Sequence, residues 1–148
     1  MLHVIIDGAN VVGSRPDGWW RDRPGAARRL AGQLVAALVD ERAELVAGLG
    51  REPDAQVHLH LVLEGAAVRA EDLPTSPRLD VVHAPADGDA TIAALAAELA
   101  ATGGAEVLVV TADRELRDRV HAAGAATVGP GALLRVLPDS GERRDADH

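Results

Sequence analysis

The sequence predicts a three-layer α/β/α fold, in which helices cover both faces of a mainly parallel five-stranded sheet. Short aliphatic runs rich in Val, Ile and Leu alternate along the chain with longer segments whose apolar residues recur at helical spacing. The 148 residues fit the size of one domain with its own core. That core must be aliphatic, because Trp19 and Trp20 are the only aromatic residues of the chain.

Five short apolar runs are predicted as strands, since strands buried in a parallel sheet read as continuous hydrophobic stretches. They cover residues 2–6, 57–63, 79–83, 106–110 and 125–128. The predicted helices cover residues 24–49, 89–101 and 113–123, and a short last helix ends at residue 137. In the first helix, Pro24 suits the opening turn, and Gly48 and Gly50 suit the end. Residues 65–78 are predicted as a loop and the polar residues 138–148 as a disordered tail.

The charge of the chain argues, at face value, against a nucleic acid partner, since the formal net charge is −8. The distribution of the cations favours such a partner. All 15 cationic residues are arginines, which suit bidentate contacts with phosphate. One group of them lies between Arg15 and Arg29, and another between Arg114 and Arg119. We weigh phosphate contacts by these arginines equally against solvated surface charge.

The composition predicts a cytoplasmic protein. No stretch approaches the roughly 20 apolar residues of a membrane span, and the first residues run into a strand without the features of a signal peptide. The absence of cysteine excludes disulfides and thiolate metal ligands. No histidine is paired with a serine, so a nucleophilic triad has no support.

Acidic residues follow three of the predicted strands at the point where each strand ends. Asp7 follows the first strand, Asp87 and Asp89 follow the third, and Asp113 lies just beyond the fourth. In an open α/β sheet, ligands bind outside the carboxyl ends of the strands. Converging carboxylates raise one another's pKa unless a cation screens them, and Mg²⁺ and Mn²⁺ prefer such oxygen ligands. The pattern therefore predicts a divalent metal site suited to phosphodiester hydrolysis.

Each of these acids also has a purely structural explanation. Asp89 and Asp113 lie where a helix N-cap is expected, and Asp is a preferred N-cap residue. The pair Asp7-Gly8 has the composition of an ordinary turn. Because the acids occur together at three strand ends, the shared metal site is the better interpretation.

Two histidines of the second strand are open to two interpretations. His58 and His60 lie two residues apart, so they share one face of the sheet. This spacing allows both to bind a metal. Burial on a helix-covered face is the favoured interpretation, because both faces of the predicted sheet carry helices.

The tryptophans and their neighbouring arginines are candidates for RNA contacts. A tryptophan in an arginine-rich loop can stack on a base of single-stranded RNA. We therefore predict Trp19, Arg15, Arg21 and Arg114 as substrate-binding residues. The alternative is that at least one tryptophan anchors the loop to the core.

Several blocks of the sequence, taken in order, resemble a known family. The opening VIIDGANVVGSRPDGWWRDRPGAARRL contains an apolar strand that runs into D-G-x-N, and GDATIAAL, LVVTADRELRDRV and VGPGALL follow at similar spacing. Together they resemble the NYN domains of the PIN-like nuclease superfamily over about residues 2–137. The resemblance implies a PIN-like domain over residues 1–137, a strand order of 3-2-1-4-5, and ribonuclease activity that depends on Mg²⁺ or Mn²⁺.

The resemblance also implies a set of site residues in this chain. It assigns Asp7, Asn10, Asp89 and Asp113 to the catalytic site. Asp7, Asp89 and Asp113 would hold the metal, and Asp87 would contribute as a partial substitute for a missing acid. Asn10 would orient a water or a phosphate oxygen, because an amide both donates and accepts hydrogen bonds.

One departure from the family pattern leaves the function open. Relatives commonly carry two adjacent acids where this chain has Asp89 followed by Ala90, so we expect weakened metal binding. A metal-dependent ribonuclease is the favoured function, and an RNA-binding module of the same fold is the alternative. A third alternative is a binder of a small phosphorylated ligand at Gly8 or at residues 129–131, although neither glycine cluster is a dinucleotide fingerprint or a P-loop. The oligomeric state is left open, with a homodimer as one alternative.

Overall fold

A five-stranded parallel sheet of order β3-β2-β1-β4-β5 forms the middle layer of the protein, whose computed structural model describes residues 1–138. The strands are β1 (Leu2–Asp7), β2 (Val57–Leu63), β3 (Leu79–His83), β4 (Glu106–Val110) and β5 (Ala126–Val128). The helices are α1 (Gly8–Gly13), α2 (Arg23–Asp40), α3 (Arg42–Gly48), α4 (Gly88–Ala100), α5 (Arg114–Ala122) and α6 (Pro130–Leu134). The predicted fold class and strand order are confirmed. The polar tail was predicted over residues 138–148, and residues 139–148 of it lie outside the described residues.

Each face of the sheet packs against its own helices, because successive side chains of a strand point to opposite faces. One face carries Val4 and Ile6 of β1 and is covered by α1, α2, α3 and α6. The other face carries Ile5 of β1 and is covered by α4 and α5, through residues such as Ile92 and Leu116. Both core layers are aliphatic, as the composition requires. Within residues 1–138, none of the helices is both long and apolar enough to cross a bilayer.

The register of the sheet defines the edge at which a site is expected. Asp7 of β1 pairs with Val62 of β2, and Ile6 of β1 pairs with Val110 of β4. The ends of β1, β2 and β4 therefore lie beside one another, so the residues that follow these strands meet at the carboxyl edge of the sheet. The chain order also reverses here, since β2 and β4 lie on opposite sides of β1. This reversal is where open α/β sheets bind their ligands.

A short helix replaces the turn that the pair Asp7-Gly8 suggested. Asp7 is the N-cap of α1, and its Oδ1 accepts a hydrogen bond from the Asn10 backbone N–H at 3.2 Å. A Cβ atom at Gly8 would lie 2.6 Å from the carbonyl oxygen of Val62. Glycine is therefore required at this position of the D-G-x-N motif, because α1 begins in contact with the backbone of β2.

The single helix predicted over residues 24–49 is wrong in one respect. The structure divides it into α2 and α3 at Glu41, whose φ of −140° and ψ of 35° lie outside the helical region. Neither Gly nor Pro marks this break in the sequence. The change of direction allows Leu45 and Val46 of α3 to be fully buried in the same core layer as Leu133 of α6. Tertiary packing thus determines the break.

Candidate functional site

Five carboxylates lie at the carboxyl edge of the sheet, three at the ends of β1, β2 and β4 and two at the start of α4, and we call this group the acidic edge. It comprises Asp7, Glu64, Asp87, Asp89 and Asp113. The charges of Asp87, Glu64 and Asp113 act on Asp89, and those of Asp89 and Glu64 act on Asp7. The four predicted acids therefore lie near one another, and Glu64 joins them.

Asp7 is the buried member of the acidic edge, at 5% exposed. Its Oδ2 accepts a hydrogen bond from the Thr111 hydroxyl at 2.9 Å, and its Oδ1 accepts the Asn10 backbone N–H. Burial raises the pKa of Asp7 above its ordinary value, while these two hydrogen bonds oppose the rise and the charges of Asp89 and Glu64 add to it. A nearby cation would favour the ionised form of Asp7.

Asn10 links α1 to the segment after β4. Its side-chain Oδ1 accepts a hydrogen bond from the Ala112 backbone N–H at 2.8 Å. This bond orients the amide and leaves its Nδ2 without a hydrogen-bond acceptor within residues 1–138. The acceptor half of the amide thus has a structural role, and the donor half remains available to a phosphate oxygen or a water.

Besides Asp7, two more of the predicted acids are helix caps as well as members of the acidic edge. Asp113 Oδ1 accepts the Leu116 N–H of α5 at 3.0 Å, and Asp87 Oδ1 accepts the Ala90 N–H of α4 at 3.0 Å. The N-cap predicted at Asp113 is confirmed, whereas the N-cap predicted at Asp89 is wrong, because α4 begins one residue earlier and Asp87 caps it. The caps at Asp113 and Asp87 each use one carboxylate oxygen and leave the other for a ligand.

Asp89 lies in the first turn of α4, half-buried, and its carboxylate makes no hydrogen bond within residues 1–138. Burial raises its pKa, and the charges of Asp113, Asp87 and Glu64 raise it further, while Arg119 partly opposes them. The helix macrodipole favours a carboxylate at this position. An acid placed among acids without a hydrogen-bond donor is suited to binding a cation.

Glu64 is a member of the acidic edge that was not predicted from the sequence. It directly follows β2, and its Oε2 accepts the Gly88 N–H at the start of α4 at 2.7 Å. The same strand-end rule that selected Asp7 would have selected Glu64, because β2 ends one residue before it. Its role is twofold, since it joins the β2 end to α4 and adds a fifth carboxylate.

The donor set of the acidic edge suits a hard divalent cation, since it consists of carboxylate and amide oxygens. Within residues 1–138, however, the group of three potential ligands whose atoms all lie within 4.8 Å of one another consists of His58, His60 and Asp80. The acids do not form so close a group there. Carboxylates without a cation repel one another, and Mg²⁺ keeps several of its waters, so a wider spacing remains compatible with that ion.

A cavity of about 290 Å³ opens beside the acidic edge, between α1, α2 and the segment after β2. Its lining includes Gly8, Glu64, Trp19 and Arg23. Trp19 is half-buried and also packs against the aliphatic core, so it both anchors its loop and faces the cavity. The Arg23 guanidinium lies over the Trp19 ring, 5.3 Å from its centre. Arg23 was not selected from the sequence, because only the fold brings it into the lining of the same cavity as Glu64.

The three arginines predicted to bind substrate have different environments. Arg15 is half-buried, and its Nη2 donates to Gln33 Oε1 at 2.7 Å, which ties the loop to α2. Arg21 is exposed and lies over the Trp20 ring at 5.9 Å. Arg114 is exposed and follows Asp113 at the start of α5. The structure therefore gives Arg15 a structural contact, and it leaves Arg21 and Arg114 at the surface.

His58 and His60 lie on the face of the sheet that α4 and α5 cover, with His58 near the amino end of β2 and His60 in its middle. His60 is buried, as the favoured interpretation expected, and His58 is partly exposed. They do not pack into an apolar layer. Instead they contact His3 of β1 and Asp80 of β3.

The fold and the acidic edge together define a class of protein, a three-layer α/β/α domain with carboxylates at the carboxyl ends of a 3-2-1-4-5 sheet. The crystal structure of Rae1 (YacP) from Bacillus subtilis has this fold, with a TM-score of 0.66 and 22% identity over 99% of this chain and 79% of that chain. A point mutant of Rae1 gives a TM-score of 0.65 and 21% identity over 99% and 80% of the two chains. No family model and no curated protein matches the sequence. At this identity the likeness establishes a shared fold.

Proposed function

We propose that this protein is a metal-dependent ribonuclease that hydrolyses RNA phosphodiester bonds at the acidic edge. The observation that carries the proposal is the grouping of five carboxylates at one sheet edge, in which the pKa of both Asp7 and Asp89 is raised. Such a group destabilises the fold unless a cation is bound to it. Its position at the strand-order reversal is the usual ligand site of this architecture.

Asp7, Asp89 and Asp113 are the proposed ligands of a Mg²⁺ or Mn²⁺ ion, with Glu64 and Asp87 as further carboxylates. When bound, such an ion supplies activation of water and neutralisation of phosphate charge. The chain's own residues hold the geometry. Thr111 and the start of α1 fix the orientation of the Asp7 carboxylate.

Asn10, Arg21 and Arg114 are the proposed contacts to the RNA backbone. Asn10 belongs to the same D-G-x-N motif as Asp7, and its Nδ2 can donate to a phosphate oxygen. Arg114 directly follows Asp113 in the sequence, Arg21 lies in the loop after α1, and both side chains are exposed. Arginines at the rim would offset the repulsion between the acidic edge and the phosphates. Arg15, which was predicted to join them, contributes instead through the loop that it ties to α2.

The cavity beside Glu64 is the proposed site of one nucleobase. Its volume of about 290 Å³ lies near the lower end of small-molecule pockets, which begin at about 300 Å³. Trp19 supplies a ring for stacking, and Arg23 lies over that ring. Proteins read single-stranded RNA by stacking splayed bases on aromatic side chains. The proposed substrate is therefore a single-stranded segment of RNA.

An RNA-binding module without cleavage activity is the second candidate function. Ala90 is exposed and follows Asp89, at the position where proteins of the family that the sequence resembles carry a second acid. The carboxylates of the acidic edge also lie farther apart than the ligand atoms of His58, His60 and Asp80. Both observations predict weak metal affinity. The third candidate, a binder of a small phosphorylated ligand, is less well supported at Gly8, because the close approach of Val62 already accounts for a glycine at this position.

Nothing in residues 1–138 supports a homodimer, so the proposed function is that of a single chain.

Cleavage of a labelled single-stranded RNA across a titration of Mg²⁺ and Mn²⁺ tests the proposal. We expect slow, metal-dependent cleavage by the wild type and none by Asp7→Asn, which keeps the side-chain shape and removes the charge. The matched control is Asp54→Asn, an exposed acid in the turn before β2, which should cleave as the wild type does. Ala90→Asp should cleave about tenfold faster or more, because it restores a carboxylate beside Asp89.

Two outcomes would contradict the proposed activity. A wild type that stays inert at saturating Mn²⁺ while Ala90→Asp cleaves would identify the natural protein as a binding module. Equal cleavage by the wild type and Asp7→Asn would mean that the activity belongs to another site or to a contaminating nuclease.

A further inference from the structure

Three histidines and an aspartate lie side by side on the face of the sheet that carries α4 and α5, and we call this group the histidine cluster. It comprises His3 of β1, His58 and His60 of β2, and Asp80 of β3. The strand register brings these residues together, since His3 pairs with His58 and His60 pairs with Asp80. His3 and His58 lie near the amino ends of their strands, and His60 lies in the middle of β2. His3 precedes Asp7 by four residues, about 13 Å along β1, whereas His60 pairs with Ile5, two residues or about 7 Å before Asp7.

Three residues of the histidine cluster, His58, His60 and Asp80, have ligand atoms close enough to bind one ion. Asp80 Oδ2 lies 3.0 Å from His58 Nε2 and 3.8 Å from His60 Nδ1. The potential ligand atoms of the three residues all lie within 4.8 Å of one another. Around an ion with bonds of about 2.0–2.2 Å, two ligand atoms are at most about 4.4 Å apart. Small side-chain rotations would therefore bring all three onto one ion.

His3 is the fourth member of the histidine cluster, and it contacts His60. Its Nδ1 lies 3.0 Å from His60 Nε2. When the Nε2–H of His60 donates to His3, the Nδ1 lone pair of His60 points toward Asp80. Metal-binding histidines generally donate their other ring N–H in this way, because that bond fixes the tautomer and the orientation of the ring. Burial lowers the pKa of His60 to about 4, so the ring is neutral near pH 7.

An ion can reach the cluster from solvent. The Asp80 side chain is 63% exposed and the His58 side chain is 22% exposed, whereas that of His60 is 8% exposed. The three groups thus range from the surface into the sheet. Such an arrangement leaves a fourth position open to water, as in sites with three protein ligands.

We propose that His58, His60 and Asp80 form a second metal site, separate from the acidic edge and specific for Zn²⁺ over Mg²⁺, with His3 orienting His60. Two imidazole nitrogens and one carboxylate oxygen are ligands that Zn²⁺ accepts in tetrahedral geometry, whereas Mg²⁺ strongly prefers a full set of oxygen ligands. The ion would join β2 to the outermost strand, β3, and so hold the sheet edge in place. The site depends on no assumption about RNA cleavage.

Direct binding of Zn²⁺, followed by calorimetry, and of Co²⁺, followed by its visible absorption, tests this site in the whole chain. The wild type should bind one Zn²⁺ per chain through the cluster and show the absorption of tetrahedral Co²⁺. Asp80→Asn and His58→Gln should each weaken Zn²⁺ binding by at least tenfold. Both positions are partly exposed, so these variants should fold. His121→Gln is the matched control, because His121 is exposed and contacts Thr127 instead.

Thermal unfolding gives a second readout that requires no activity. Zn²⁺ should raise the Tm of the wild type and of His121→Gln and leave that of Asp80→Asn unchanged, since an ion stabilises only the folded state that it binds. Asp7→Asn should keep the Zn²⁺ response, because the acidic edge is a different site. The proposal is overturned if the wild type binds no Zn²⁺ at millimolar concentration. It is also overturned if Asp80→Asn and His58→Gln bind as the wild type does, or if Asp7→Asn alone abolishes binding.

Discussion

Thr111→Val is the substitution that most directly tests how the acidic edge is held. Thr111 is fully buried at the end of β4. Its Oγ1 donates to Asp7 Oδ2 at 2.9 Å and accepts the Asp113 backbone N–H at 3.1 Å. Valine has nearly the same shape, so it removes both hydrogen bonds without opening a cavity. The Asp7 carboxylate is then left with the Asn10 N–H as its hydrogen-bond donor within residues 1–138.

The expected cost follows from these two bonds. A hydrogen bond to a charged acceptor contributes about 1.5–3 kcal/mol, and a neutral one about 1 kcal/mol. Asp113 is half-buried, so water replaces part of the second bond, and we expect a net loss of about 2–3 kcal/mol. At about 2.1 cal/mol/K per residue, the unfolding entropy of 148 residues is about 0.31 kcal/mol/K. The Tm should therefore fall by about 6–10 °C.

The pH dependence of this loss has a definite sign. The Thr111 hydroxyl lowers the pKa of Asp7, so its removal raises that pKa further. The destabilisation relative to the wild type is present where Asp7 is ionised and shrinks as pH falls and Asp7 becomes protonated. Thermal unfolding followed by circular dichroism at about pH 7 and about pH 4 measures both the loss and its decrease.

Thr75→Val is the control for this experiment, because Thr75 is exposed and undergoes the same chemical change. Its effect should stay within about 0.5 kcal/mol. In an Asp7→Asn background, Thr111→Val should cost less, since no charge remains to be satisfied. If Thr111→Val and Thr75→Val unfold at the same temperature near pH 7, the argument that Thr111 holds Asp7 is refuted.

Three further predictions concern the same edge. Asp7→Asn should raise the Tm at about pH 7, because a raised folded-state pKa means that the ionised Asp7 carboxylate destabilises the folded protein. The gain should vanish toward about pH 3, where Asp7 is protonated, and an unchanged Tm near pH 7 would contradict this prediction. Gly8→Ala should lower the Tm by about 3–10 °C, because the new Cβ would lie 2.6 Å from the Val62 carbonyl oxygen and overpacking costs about 1–3 kcal/mol. An unchanged Tm would show that α1 does not pack tightly against β2. Arg21→Ala and Arg114→Ala should each weaken RNA binding and reduce its salt slope by about one, as followed by fluorescence anisotropy. The exposed Arg42 of α3 is the control for that experiment, and equal effects at all three positions would mean that the arginines act only through net charge.

The strands were predictable because their cause is local. The bounds of β2, β3 and β4 agree with the apolar runs at residues 57–63, 79–83 and 106–110. The break at Glu41 was not predictable, because no Gly or Pro marks it and the packing of α3 against distant parts of the core requires it. The helix α1 was missed for a similar reason, since the glycine that suggested a turn is explained by the contact with β2.

The site residues likewise divide into those that short segments of the sequence predict and those that depend on tertiary packing. The motif and the strand-end rule selected Asp7 and Asp113 from their positions relative to single strands. Thr111 could not be selected, because its contact with Asp7 depends on the pairing of β1 with β4 across 104 residues. Arg15 was predicted to bind substrate, but its contact with Gln33 appears only once the loop packs on α2.

The sequence by itself determined the alternation of strands and helices and the delivery of acids to one edge, because hydrophobic periodicity and the direction of parallel strands are properties of short segments. Only the tertiary structure decided which carboxylate oxygens are used by helix caps, which are held by Thr111, and which remain for a cation. It also decided the histidine cluster, in which His3, His60 and Asp80 come from three strands. Lateral neighbours in a sheet follow from the strand order, and that order is set by the packing of the whole chain.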